Sequence, residues 1–153
     1  MTDPASLCAD VASAVTDGGD RHARAVQAAE AIRAFGDYRW VGIYDVSPAE
    51  IALVAYSGSG APAHPVFSVS EGLSGEAVRS QATIVANDVA NDPRYLTAFG
   101  STRSEMIVPV MVKGRVVGTI DVESERLNAF RSEDRAAIEA CAAAIAPLFA
   151  LTQ

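Results

Sequence analysis

Hydrophobic residues recur at helical spacing in two segments near the start of the chain, and each segment predicts an amphipathic helix. The first stripe consists of Leu7, Val11, Ala14 and Val15. Asp3 followed by Pro4 is typical of a helix start, since aspartate caps the helix and proline fits its first turn. The second helix is predicted for about 21–35, and Gly36-Asp37 ends it.

The period then changes to two, which predicts β-strands separated by tight turns. The predicted strands are 39–46, 50–57, 66–69, 83–86, 104–112 and 115–123. A short helix is predicted for 73–80, and Asp92-Pro93 indicates one further helical turn. Ser132 is the predicted cap of the last helix, and Pro147 predicts a kink or an early end.

Helices at both ends of the chain, around consecutive antiparallel strands, predict an α+β fold with the terminal helices on one face of a central sheet. The other face must then be covered by the long loops 58–65 and 87–103 together with the short helix. This arrangement encloses a pocket. No internal repeat or linker is visible, so residues 1–153 are predicted to form a single domain.

Composition and charge narrow the range of partners. Half of the 153 residues are hydrophobic and a fifth are charged, which is typical of a globular protein. A net charge of −7, with scattered arginines and a single lysine at position 113, argues against direct binding of nucleic acid. No apolar run reaches the ~18 residues of a membrane span, and 1–7 contain no secretory signal, so a cytoplasmic chain without a membrane partner is expected.

The last two predicted strands place three carboxylates on one face. Because glycine stands only at 114, a two-residue turn would force Lys113 into positive φ, so we predict a three-residue loop at 112–114. This register sets Glu105 opposite Asp121, with Glu123 on the same face. The opposite face is apolar and consists of Met106, Val108, Val110, Val116, Gly118, Ile120 and Val122.

The clustered acids allow three interpretations. They are solvated or paired with Arg79 or Arg103, as acids at strand ends often are. They form the negative end of a pocket for a cationic or amine-bearing ligand, which would relieve their mutual repulsion. Alternatively they hold Ca²⁺ or Mg²⁺, which is the weakest interpretation because no Asp-rich loop completes an oxygen shell. We therefore predict no metal and no cofactor.

Four further residues are candidates on the pocket side. Trp40 and Tyr44 alternate onto one strand face around a glycine, either as core residues or as aromatic pocket walls, and the second interpretation is slightly favoured. Ser74, at a helix start, either caps that helix or binds a ligand carboxylate together with backbone N–H groups. His64 lies in a Gly/Pro-rich loop, where a solvated histidine is favoured over a haem ligand.

Several motifs together resemble GAF domains, in particular the free methionine-R-sulfoxide reductase group. They are RWVGIY at 39–44, GLSGEA at 72–77, NDV at 87–89, DPRY at 92–95, SE at 104–105, VP at 108–109, GRVVG at 114–118 and IDVES at 120–124. The resemblance extends from Ala5 to Leu151 and implies a stand-alone GAF domain. It also implies a homodimer through the terminal helices, because GAF domains commonly pair in this way.

The resemblance carries an expectation about catalysis. Reductases of this group use one cysteine thiolate to attack the sulfoxide sulfur and a second cysteine to resolve the intermediate as a disulfide. The family's cysteine positions correspond here to His64, Ser74 and Ala98. The two cysteines present, Cys8 and Cys141, have no metal-ligand spacing and lie in apolar helical stripes, where cysteine is usually a small buried hydrophobe.

In the same group, acids at the positions of Glu105, Asp121 and Glu123 hold the ammonium group of the amino acid. The sequence therefore predicts a non-catalytic GAF domain that binds an amine-bearing or other small polar metabolite as a sensing or regulatory module. The predicted ligand-binding residues are Trp40, Tyr44, Ser74, Glu105, Asp121 and Glu123. The alternative is a free methionine-R-sulfoxide reductase, which the missing cysteines disfavour.

Overall fold

The computed structural model describes residues 3–149. Within this range six strands form one antiparallel sheet in the order β3-β2-β1-β6-β5-β4. The strands are β1 (Trp40–Val46), β2 (Glu50–Gly58), β3 (Val66–Ser68), β4 (Ile84–Ala86), β5 (Ser104–Val112) and β6 (Arg115–Ser124). The helices are α1 (Pro4–Thr16), α2 (Arg21–Gly36), α3 (Gly72–Ser80) and α4 (Ser132–Ala144).

Helices α1, α2 and α4 cover one face of the sheet, as predicted. Aspartates cap the first two helices: the Asp3 side chain accepts a hydrogen bond from the Ser6 N–H at 2.9 Å, and Asp20 accepts one from Ala23 at 2.7 Å. The apolar stripe predicted for α1 is buried, and it shares one core with Ile138 and Cys141 of α4. The sequence-based α+β prediction is therefore confirmed.

Of three predictions about helix ends, one was wrong, one was right in part and one was confirmed. Ser132 is already helical, and its neighbour Arg131 takes the cap position, where its N–H donates to Asp134 at 2.9 Å. Asp92 starts a single hydrogen-bonded turn, in which the Tyr95 N–H donates to the Asp92 carbonyl at 3.1 Å, but the residues that form a 3₁₀ helix lie before it, at Val89–Asn91. Helix α4 ends at Ala144, ahead of a 3₁₀ turn at Ala146–Leu148 that contains the proline, which is the predicted early end.

The turn between β5 and β6 corrects the predicted three-residue loop. Val112 pairs with Arg115, so the turn has two residues, Lys113 at φ 52° and Gly114 at φ 77°. Positive φ at both central residues is the geometry of a type I′ turn, whose twist matches that of the strands. The hairpin twist therefore outweighs the preference of lysine for negative φ.

A β-bulge next to this turn restores the face on which the acids lie. Val110 pairs with Gly118 while Met111 pairs with Val116, so Val117 is an extra residue in β6. It packs against the helix-side core, where Val116 was expected. The bulge shifts the register so that each acid in β5 and β6 again faces the pocket side, with the cross-strand pairs Glu105↔Glu123, Ile107↔Asp121 and Pro109↔Thr119.

The second face of the sheet carries α3 and the two long loops. Two apolar clusters lie there, one of them around Trp40, Tyr44 and Ile51, the other around Leu73 and Ile107. The apolar stripes of α1 and α4 are already buried inside the chain, so the homodimer stays a prediction. Among the described residues, no helix is both long enough and apolar enough to cross a membrane.

Candidate ligand-binding site

A cavity lies between the sheet, α3 and the two long loops. Its lining is Tyr44, His64, Phe67, Gly72, Leu73, Ser74, Leu96, Ala98, Glu105 and Asp121. The cavity measures about 330 Å³ including its open mouth.

Two carboxylates, Glu105 of β5 and Asp121 of β6, line the floor of this cavity, and a third, Glu123 of β6, lies beside them but is not part of the lining. Glu105 and Asp121 are each 5% exposed, and Glu123 is fully buried beside them. One oxygen of each carboxylate lies within 4.8 Å of the others. Two unit charges at this separation repel by about 3 kcal/mol at an effective dielectric constant of ~20. Such an arrangement is stable only if protons or a cation reduce the charge.

The protein supplies little compensation for these charges. The Thr102 hydroxyl donates to Glu123 Oε1 at 2.7 Å. Asp121 Oδ1 and Glu123 Oε2 are buried and accept no hydrogen bond from the described residues. The five ion pairs of the described residues join other acids: Arg21–Asp45, Arg39–Glu125, Arg79–Glu76, Arg94–Asp92 and Arg135–Glu139. The predicted pairing with Arg79 or Arg103 is therefore absent within the range 3–149.

Burial is the first cause of a raised pKa at all three carboxyl groups. The charges of Asp121 and Glu123 raise the pKa of Glu105 further, to well above its usual value. Burial and the charge of Asp121 raise the pKa of Glu123 to about 9. The pKa of Asp121 is also raised by burial. Because the groups interact, their protons belong to the cluster rather than to one residue.

Tyr44 and Trp40 lie on the same face of the sheet, but only Tyr44 reaches the cavity. Tyr44 lines the cavity, and burial followed by the nearby carboxylates raises its pKa. Trp40 lies on this face but does not line the cavity, contrary to its favoured interpretation as a pocket wall. Its indole N–H donates to the Gly60 carbonyl at 3.0 Å, and its ring packs 5.2 Å from Phe99. Trp40 thereby holds both long loops against the sheet.

The glycine between the two aromatics does not leave free room in the pocket. A Cβ at Gly42 would overlap the ring of Trp40, which lies across the strand at this point. The space that the sequence suggested for a ligand is therefore filled by the tryptophan. The cavity opens instead beside Tyr44, toward α3.

The first turn of α3 forms the wall opposite the acids. Gly72, Leu73 and Ser74 line the cavity, and Ser74 is buried. Glu71 stands at the cap position without a capping hydrogen bond from its side chain. The N–H groups of a first helical turn and the helix dipole favour a negative group. The cavity thus has a cation-favouring floor and an anion-favouring wall.

The three family cysteine positions come together in this cavity. His64 from the loop before β3, Ser74 from α3 and Ala98 from the loop before β5 all line it. The Ala63 N–H donates to the Ala98 carbonyl at 3.2 Å and links the two loops. Cys141, by contrast, is buried in the helix-side core, where burial raises the pKa of its thiol to about 12. Cys8 is half-buried in α1, on the same side of the sheet.

Sequence reasoning missed three polar residues of the site. Thr102 bonds Glu123, and Thr119 is a buried hydroxyl without a partner among the described residues, on the strand face of the acids. Burial and then the charges of Glu123 and Glu105 raise the pKa of Tyr95. The sequence pattern placed only Thr119 on the face of the acids, because Thr119 shares the odd-numbered positions of β6 with Asp121 and Glu123. Thr102 and Tyr95 lie in an irregular loop, where no such pattern exists.

Comparison with known proteins identifies the family to which this chain belongs. The GAF domain family model matches residues 21–150, and the chain belongs to this family. Within the family, the chain is homologous to free methionine-R-sulfoxide reductases. The type II reductase from Thermoplasma acidophilum is 32% identical, with a TM-score of 0.76, covering 85% of this chain and 95% of that one.

Two further relatives are a reductase and a protein that is named only for its domain. The Neisseria meningitidis free methionine-R-sulfoxide reductase, solved with its substrate, has a TM-score of 0.87 at 26% identity. That match covers 96% of this chain and 88% of the reductase. GAF domain-containing protein A of Dictyostelium discoideum is 26% identical over 129 residues, which is 84% of this chain and 81% of that protein. The relatives therefore include both reductases and a protein named only for its domain.

Proposed function

We propose that this GAF domain binds a free amino acid, or a closely related small amine, in the cavity between α3 and the three carboxylates. The observation that carries the proposal is the buried cluster of Glu105, Asp121 and Glu123, which has no basic partner among the described residues. An ammonium group supplies a positive charge and three hydrogen-bond donors in a volume small enough for this floor. The uncapped start of α3 and Ser74 would receive the carboxylate of the same molecule.

The chemistry available in the cavity favours binding over thiol catalysis. An imidazole, a serine hydroxyl and a methyl group stand at His64, Ser74 and Ala98, and none of them can form the disulfide that reduction of a sulfoxide by thiols requires. Cys141 is protonated at neutral pH and separated from the cavity by the sheet. The proposed role is therefore a sensing or regulatory module that encloses a metabolite.

A reductase is the second candidate, and a specific observation favours it. The named reductases from Thermoplasma acidophilum and Neisseria meningitidis match nearly the whole of this chain. A reductase of this fold would need a reducing group that the cavity residues do not supply. The two candidates share the ligand class and differ only in turnover.

Calorimetry and a turnover assay separate these candidates. L-Methionine-R-sulfoxide and L-methionine are the probes, and the analogue with a hydroxyl in place of the amine is the matched control. We expect the amines to bind, the hydroxyl analogue to bind at least tenfold more weakly, and no sulfoxide to be consumed with dithiothreitol or thioredoxin. Equal binding of the hydroxyl analogue contradicts the proposed site. Turnover that is lost in a Cys8→Ser/Cys141→Ser variant establishes the reductase instead.

A further inference from the structure

The positions of the three carboxyl groups in the sheet determine whether all of them can be ionised at once. Glu105 and Glu123 are direct cross-strand partners, and Asp121 lies one alternate position away in β6. One oxygen of each side chain lies within 4.8 Å of the others, and Asp121 Oδ1 and Glu123 Oε2 have no hydrogen-bond partner among the described residues. Two carboxylates cannot hydrogen-bond each other, whereas a carboxylic acid and a carboxylate can, because the acid supplies the proton.

Among residues 3–149, no neighbouring element brings a positive charge that would replace such a proton. The titratable groups that face the cluster are Tyr44 of β1, Tyr95 of the loop before β5, and His64 at the cavity edge. Helix α3 contributes Ser74, and β4 contributes Ala86, which pairs with Glu105. No lysine or arginine is among the groups that shift the three carboxyl pKa values in the described range.

We infer that the cluster of Glu105, Asp121 and Glu123 holds at least one shared proton at neutral pH in the ligand-free protein, and that an ammonium ligand displaces it into solvent. The second half of this inference rests on the proposed function. The binding reaction is balanced: the protonated cluster and the ammonium ion are the reactants, and the complex and one proton released to solvent are the products. No other co-reactant is needed, and no covalent bond apart from O–H changes.

The sign of the resulting pH dependence follows from linkage. The complex binds fewer protons than the free protein, so the affinity for an ammonium ion rises as the pH rises. Each proton released makes the dissociation constant fall about tenfold per pH unit. The rise continues toward pH 9, where burial and Asp121 place the pKa of Glu123, provided that the ligand keeps its own proton.

The proton itself is tested without any ligand. Infrared spectra of the ligand-free protein at pH 7 resolve the C=O stretch of a protonated carboxyl group from carboxylate bands. We expect that signal in the wild type and its reduction in Glu123→Gln, or in Asp121→Asn should the first variant not fold. Glu133→Gln removes an exposed acid of α4 and should leave the signal unchanged. A wild-type spectrum without the signal overturns the inference.

Proton release on binding is measured by titrating L-methionine-R-sulfoxide at pH 7 in phosphate and in Tris, which differ in ionisation enthalpy. We expect about one proton released per ligand bound, and a tenfold fall in the dissociation constant from pH 6 to pH 7. Binding with the same enthalpy in both buffers overturns the inference while leaving the proposed function intact. A protein that gives the protonated carboxyl signal but binds no amine confirms the stored proton and contradicts the proposed function.

Discussion

Glu105 lies directly across the β5–β6 pair from Glu123, and both side chains are buried. Like charges in opposed positions destabilise a sheet, and burial increases the cost. A sheet selected only for stability would place apolar residues at these two positions, as it does at the neighbouring pair Met106 and Val122. The pair is therefore a main support for the proposal that this face of the sheet binds a ligand.

The first prediction concerns stability and pH. Burial and the charge of Asp121 raise the pKa of Glu123 from 4.5 to about 9, so the carboxyl cluster of the folded state binds more protons than the unfolded chain between these values. The free energy of unfolding should fall as the pH rises through this window. Glu123→Gln, whose amide oxygen can still accept the Thr102 hydrogen bond, should remove part of that fall. At pH 8 the variant should be more stable than the wild type by about 1–3 kcal/mol, since one pKa unit corresponds to about 1.4 kcal/mol.

Urea unfolding at pH 5, 7 and 8 measures this effect. The control is Glu133→Gln, an exposed acid on α4 whose substitution should leave the pH profile of the wild type unchanged. A Glu123→Gln variant that is less stable than the wild type at pH 8 would show that the carboxylate is compensated in the folded protein.

The second prediction concerns the ligand. Asp121→Asn keeps the size of the side chain and removes one charge from the cavity floor. Removing one partner of a desolvated charge pair costs about 2–5 kcal/mol, so L-methionine-R-sulfoxide should bind at least 30-fold more weakly. Asp10→Asn, on the exposed side of α1, is the matched control. Calorimetry that returns one affinity for all three proteins would remove Asp121 from the site.

A third prediction concerns the hairpin turn. Lys113 adopts φ 52°, and the left-handed conformation costs a residue with a Cβ roughly 1–2 kcal/mol. Lys113→Asn should raise the free energy of unfolding by about 0.5–1 kcal/mol, because asparagine followed by glycine suits a type I′ turn. Gly114→Ala should lower it. Urea midpoints measured with an unchanged slope test both changes, and a neutral Lys113→Asn would show that the turn is not strained.

The fourth prediction concerns the homodimer, which the structure of a single chain does not test. The outward faces of α1 and α4 carry exposed alanines, namely Ala9, Ala12, Ala136, Ala140 and Ala143. Small side chains let two helices approach closely, so we expect an isologous dimer through this face. Sedimentation at micromolar concentration should give a dimer for the wild type and for Ala49→Glu, and a monomer for Ala140→Glu. A wild-type monomer contradicts the prediction.

The sequence predicted the elements well where the pattern was regular. The buried stripe of α1 and the bounds of β5 agree with the structure, because each follows one unbroken period. The predicted length of the turn after β5 was wrong because the twist of the hairpin outweighs the φ preference of Lys113. The bulge could not be predicted, since Val116 and Val117 are identical and give no sign of which one faces the helices. The turn and the bulge each shift the pairing by one residue in the same direction. The acids therefore lie on the predicted face, but Glu105 pairs with Glu123 and not with Asp121 as predicted.

The sequence predicted which acidic residues lie together in the site, but it predicted less well which side chains line the cavity. Glu105, Asp121 and Glu123 lie together as expected, and Ser74 and Tyr44 line the same cavity. Trp40 was assigned the right face but the wrong depth, because alternation along a strand fixes direction and not what covers the side chain. Thr102 and Tyr95 belong to an irregular loop, where no period indicates which side chains turn inward.

The backbone hydrogen bond between Ala63 and Ala98 has a kinetic consequence. It joins two loops that both line the cavity. If these loops must part before a ligand reaches the carboxylates, the slow step of association belongs to the protein rather than to diffusion. Observed binding rates should then level off at high ligand concentration, at the rate of loop opening. The same hydrogen bond would then prolong the residence of a bound molecule, which would suit the proposed sensing role.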